Sequence, residues 1–198
     1  MTRLPLLLVV TSLMAVTHAA EPAPTPAPAP VPAPAPSEAG PRIVAEAFGR
    51  LSTALGEAIA KQGAAGALSV CSEQAPAIAA ELGKSHGITL RRATEKPRNP
   101  KNAADPVERD ILAGFAKALK EKQPLQSKTV TQADGSTTYF APIVIPAPLC
   151  LQCHGTPGRD IAPATRLALE KLYPTDQATG YKTGDLRGVW RVTFPARP

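Results

Sequence analysis

Cys150-Leu151-Gln152-Cys153-His154 constrains the fold of this chain more than any other segment. Its spacing sets two thiols where they can add across the two vinyl groups of a haem, and it places the next residue, His154, beneath the iron as a ligand. A fold that carries the motif has to make room for that group beside it. The same cysteines have two other uses. A redox-active pair of the thioredoxin kind normally opens a helix after a strand in a βαβ unit, but here Pro146 and Pro148 precede the motif and no parallel-sheet pattern surrounds it. A zinc site of Cys71, Cys150, Cys153 and His154 has a legitimate ligand count, but the adjacency of Cys153 and His154 makes an awkward tetrahedron.

The N-terminus agrees with haem attachment, which takes place outside the cytoplasm. Arg3, an apolar run over residues 4–16 and the small-residue stretch Thr17-His18-Ala19-Ala20 read as a secretory signal over residues 1–20. The run is shorter than the roughly 20 residues a membrane span needs. The expected mature chain is therefore periplasmic or secreted, with no membrane span; a retained anchor is the alternative. Residues 21–41 hold nine of the 23 prolines, alternating with alanine, and are expected to form an extended polyproline-like linker. Residues 42–198 are the right size for one domain. The net charge is +6, but no Lys/Arg run reaches five and aromatics make up only 4 % of residues, which excludes nucleic acid as a partner. The basic balance suits haem propionates or an acidic redox partner.

Val44, Phe48, Leu51, Leu55 and Ile59 recur at helical spacing, predicting a helix over 42–62 that ends at Gly63. Leu68, Cys71, Ala75, Ile78 and Leu82 form a second stripe closed by Gly87, with Cys71 facing inward. Pro76 lacks a backbone donor, so this helix should start, kink or break between Val70 and Pro76. A short strand follows over 88–92, then a polar loop over 95–105. Asp105-Pro106-Val107-Glu108 has the cap, the N1 proline and the N3 glutamate of a capping box, with Val107, Ile111, Phe115 and Leu119 on the inner face. Two strands meet at the Asp134-Gly135 turn, with Pro142 and Pro146 limiting how central the second can be. A helix over 161–173 and a strand carrying Trp190, Val192 and Phe194 complete an α+β order with a small antiparallel sheet.

A haem held at His154 has a second axial face. Both methionines, Met1 and Met14, leave with the signal, and His18 lies at its end. His86, in a charged helix end where it also suits the helix dipole, and Cys71, the odd thiol, are the candidates; a vacant face is the third option. Val70-Cys71-Ser72-Glu73-Gln74-Ala75-Pro76, Arg91-Arg92-Ala93-Thr94 with Arg98-Asn99-Pro100-Lys101-Asn102, the attachment motif, and Gly180-Tyr181-Lys182-Thr183-Gly184-Asp185-Leu186-Arg187-Gly188 together resemble a bacterial mono-haem domain family. That family was long catalogued as a domain of unknown function and occurs alone or fused to signalling modules. The resemblance runs over nearly all of residues 43–195. It implies a PAS-like fold, an antiparallel sheet with flanking helices, and one c-type haem held between the motif histidine, His154, and an upstream thiolate, Cys71. Arg92, Arg98 and Arg187 fall in the matching motifs as candidate partners of the haem propionates. Their structural alternative is to hold turns by side-chain hydrogen bonds. Val189-Trp190-Arg191 departs from the family's small residues.

A thiolate on iron stabilises the ferric state, so the expected function is low-potential electron transfer or redox sensing with a partner protein. Haem-based sensing of NO or CO, with Cys71 displaced, is the alternative. An enzyme such as a peroxidase needs a distal acid–base residue, and no second inward histidine is evident, so no catalytic activity is expected.

Overall fold

The computed structural model describes residues 34–196. The expected signal segment and the linker up to residue 33 lie outside the described residues. Helix α1 (Pro36–Gly66) starts at Pro36, so residues 36–41, expected to be extended, are helical. The cause is local and tertiary at once. Pro36 sits at N1, where its fixed φ suits a helix start and its missing donor costs nothing. One turn on, Ala39, Ile43 and Ala47 bury against the sheet, and Gly40 is so close to the Tyr139 ring that a Cβ there would collide with it. The helix breaks at Gly63, whose φ of 69° and ψ of 176° a side chain would resist.

The disturbed segment around Cys71 is a π-helical turn, Val70–Gln74, in which the Ala75 N–H reaches back to the Val70 carbonyl. Helix α2 (Ala75–His86) follows and ends on Gly87 in the left-handed conformation, its N–H donating to the Gly83 carbonyl. Strand β1 (Thr89–Ala93) leads through a short 3-10 turn, Pro100–Asn102, to α3 (Pro106–Lys120). The capping box of α3 is complete: Asp105 accepts the Glu108 N–H and Glu108 accepts the Asp105 N–H. Val107, expected inside, is exposed, while Glu108 is fully buried. Glu108 turns in because Arg191 and Arg91 wait there: Arg191 Nη1 lies 3.3 Å and Arg91 Nε 3.4 Å from its Oε1. Arg91 and Arg191 are register partners across β1 and β4, so the carboxylate separates two like charges.

Strands β2 (Lys128–Thr131) and β3 (Thr137–Val144) form the expected hairpin, and β4 (Leu186–Phe194) pairs with both β3 and β1. The sheet order is β1-β4-β3-β2, antiparallel throughout, with no place for a βαβ redox unit. Pro142 lies beyond the end of the β2 pairing and so costs that ladder no bond. Helices α4 (Pro148–His154) and α5 (Pro163–Leu172) lie between β3 and β4 in sequence. Both sheet faces are covered: α1 and α2 on the face of Trp190 and Val192, α3 on the face of Val189 and Phe140. This is the α+β layout of a PAS-like domain. No helix among the described residues is long and apolar enough to cross a membrane.

Candidate haem site

The attachment motif is itself helical, which a seven-residue element cannot advertise by periodicity. Pro148 presets the first turn, and Ala147 precedes it in extended conformation. On α4, Cys150, Cys153 and His154 stand at i, i+3 and i+4, so both thiols and the imidazole share one face. Two small apolar clusters anchor the helix. Cys153 packs beside Leu68, Ile161, Leu169 and Tyr173, and Cys150 and Leu151 pack beside Ile145, Ala178 and Tyr181. Gly155 ends it by donating to the Leu151 carbonyl at 2.8 Å. The Asp160 side chain closes over that turn, accepting the Thr156 N–H at 2.8 Å.

The motif face lines a cleft with about 1190 Å³ of empty space counted out to its open mouth. The structure brings every residue of the expected site to this one cleft: Cys71, Arg92, Arg98, Cys150, Cys153, His154 and Arg187. His86 is not among them. It sits at the far end of α2, exposed, with Nε2 3.2 Å from the Glu46 carboxylate. All three cysteines are free thiols. Among the described residues, no three His, Cys, Asp or Glu side chains converge as a metal site.

His154 Nδ1 donates to the Ala178 carbonyl at 2.8 Å, which leaves Nε2 as the nitrogen without a hydrogen to give. Burial lowers the His154 pKa well below its usual value, and the charges of Arg98, Arg187 and Arg92 push it the same way, so the ring is neutral. Burial pushes the Cys153 thiol up to about 11, with Arg98 partly opposing, so it is protonated at neutral pH. The Tyr181 ring stands edge-on to His154, with centroids 6.2 Å apart, and carries Lys96 at 4.6 Å and Arg187 at 5.4 Å.

The three arginines differ in how much of each guanidinium is already committed. Arg98 Nε pairs with Asp176 and its Nη2 donates to the carbonyls of Cys153 and Ala178, while Nη1 is buried without a partner. Arg187 Nη1 donates to Thr94 Oγ1 at 3.0 Å. Arg92 makes no hydrogen bond or ion pair with the described residues and stacks 5.7 Å from the Trp190 ring centroid. Burial lowers the pKa of Arg92, offset in part by Cys71 and Tyr173; burial also lowers that of Arg187. Trp190, the departure noted in the sequence, is thus the floor beneath Arg92.

These features fit a planar, mostly apolar group with carboxylate tails. Phe48, Leu51, Leu55, Ile59 and Leu68 supply apolar wall. Phe48 and Leu149 also line the cleft, 47 % and 45 % exposed. Unspent guanidinium nitrogens line the same space. The roles of Asp176, Ala178 and Tyr181 escaped the sequence reading. Tyr181 stood inside a noted motif but looked like part of a turn, and a backbone carbonyl leaves no trace in composition.

Comparison with known proteins agrees with the fold. A family model described as Tll0287-like matches residues 10–195. Among solved structures, one titled "Crystal structure of the cyanobacterial heme-protein Tll0287" matches with a TM-score of 0.61 and 27 % sequence identity, covering 82 % of this chain and 97 % of that chain. Comparison with curated proteins gave no match.

Proposed function

The chain belongs to the Tll0287-like family, and from that premise we propose that it is an exported, low-potential electron-transfer protein. It holds one haem, attached through Cys150 and Cys153, with His154 and Cys71 as axial ligands. One observation carries the reading: a single cleft collects both motif thiols, a neutral His154 whose Nδ1 is already committed, and the upstream Cys71. The bound group supplies a one-electron iron couple, and thiolate ligation biases that couple toward the ferric state. The chain's own residues do the rest. Ala178 orients the imidazole. Phe48, Leu51 and Leu55 exclude water from the apolar side, and Arg92 and Arg187 meet the carboxylates. His86 is tied to Glu46 and lies outside the cleft lining, so Cys71 is taken as the distal ligand. The reading is of a carrier. Export rests on residues 1–20 and places the protein in the periplasm or outside the cell.

Gas binding with Cys71 displaced is the second reading, and a specific feature favours it. Cys71 lies in a π-helical turn beside Pro76, a local geometry often associated with functional sites in helices. Optical and EPR spectra of the exported protein test both. Cys71→Ala is expected to abolish the low-spin ferric thiolate signature, and His86→Ala to leave it intact. An unchanged spectrum in Cys71→Ala contradicts the thiolate assignment. Rapid CO binding to the ferrous wild type supports the second reading.

A further inference from the structure

Arg98 and Asp176 form a buried bridge behind His154, their side chains only 6 % and 10 % exposed. Arg98 Nε donates to Asp176 Oδ2 at 3.0 Å, and Arg98 Nη2 donates to the carbonyl of Cys153, at the end of the motif helix. Asp176 Oδ1 accepts the Ala178 N–H at 2.8 Å, which fixes the peptide leading into Ala178, one Cα before the peptide that carries the Ala178 carbonyl. That carbonyl has two donors: His154 Nδ1 at 2.8 Å and Arg98 Nη2 at 3.3 Å. One oxygen is thus shared between a neutral imidazole and a guanidinium.

We propose that Arg98 and Asp176 are positioning residues for His154 and set how strongly its imidazole donates electrons. Asp176 holds the Ala178 carbonyl in line with Nδ1, which locks the tautomer and the ring orientation. Arg98 draws on the same oxygen, so the carbonyl takes less of the Nδ1 proton and Nε2 is less basic than it would be against an unshared acceptor. The tautomer lock is a property of the chain alone. The electronic effect rests on the haem reading above.

The test uses the full exported protein as isolated, wild type against Arg98→Gln, Arg98→Lys and Asp176→Asn. Solvent exchange of the His154 Nδ1 proton, followed by NMR on nitrogen-15 histidine, is expected to quicken on the order of tenfold in Asp176→Asn, as a released hydrogen bond allows, and to slow in Arg98→Gln, where the Ala178 carbonyl is no longer shared with a guanidinium. Arg98→Lys, which keeps the charge and a donor, should exchange at close to the wild-type rate. The reduction potential is expected to fall in Arg98→Gln, where a stronger bond from Nδ1 enriches the ring and a positive charge is lost, and to rise in Asp176→Asn. Loss of charge alone moves the potential in these same directions, so the exchange rates separate the two accounts: a merely structural bridge would quicken Nδ1 exchange in both Arg98→Gln and Asp176→Asn. Should Arg98→Gln fail to fold, Asp176→Asn decides: unchanged Nδ1 exchange in that variant overturns the proposal. If the isolated chain carries no haem, the functional reading fails, while the nitrogen-15 spectrum of His154 still reports the tautomer.

Discussion

One backbone oxygen, that of Ala178, decides which nitrogen of His154 keeps its proton, and the sequence offers no sign of it. Side chains with distinctive chemistry were legible individually: spacing marked the two thiols and the imidazole, while elimination left Cys71 beside His86 and the family resemblance favoured Cys71. Arginines were legible only as a set. Their division of labour depends on neighbours 78 and 93 positions away, Asp176 for Arg98 and Thr94 for Arg187. Glycines make the residue scale measurable. At Gly155 a Cβ would stand 2.7 Å from the Leu151 carbonyl and equally close to the Asp160 carboxylate. Gly155→Ala is expected to cost about 2 kcal/mol, the usual penalty of overpacking. Gly49, in the middle of α1, would give a Cβ no neighbour within 4 Å. Gly49→Ala is expected to stabilise the protein by up to about 1 kcal/mol through helix propensity alone. Urea unfolding of the two variants checks the contrast; equal effects would contradict the packing at the motif's end.

At the scale of elements, local signals held where one short-range mechanism controlled the outcome. The α3 start needed only Asp105, Pro106 and Glu108, and the break before α2 needed only Pro76, although its form, a π turn, came from packing. Signals failed where tertiary contact outweighed composition. Residues 36–41 read as linker and became helix because Ala39 and Ile43 find the sheet. Val107 and Glu108 exchange places for a similar reason, since a buried carboxylate is tolerable only against Arg91 and Arg191. Asp105 gives this element a pH signature. Burial raises its pKa, but the Glu108 N–H and Arg191 outweigh burial and hold the carboxyl below its ordinary 3.8. Its contribution is therefore complete above pH 3.8 and is lost as pH falls through the lower folded value. Asp105→Ala is expected to cost about 1 kcal/mol at neutral pH, as helix caps do. Urea melts across pH should show wild type and variant converging in acid; a gap undiminished there would contradict the capping account.

For the whole molecule, the α+β order and the family resemblance were legible, because four motifs kept their order along the chain. What the sequence could not show is that the motifs meet. Cys71 comes from the π turn before α2, Arg92 from β1, Arg98 from the loop after it, the attachment face from α4 and Arg187 from β4, and all line one cleft at the ends of β1, β3 and β4. The four-stranded sheet is the frame that makes that convergence possible. The account stands or falls on what fills the cleft. Protein exported from cells with haem-attachment machinery should be measured as the pyridine haemochrome after acid extraction, beside a Cys150→Ala/Cys153→Ala variant. The expected result is one haem per chain that resists extraction and gives a c-type spectrum in the wild type, lost or extractable in the double variant. A wild-type chain that emerges without haem, or whose haem extracts freely, would contradict it.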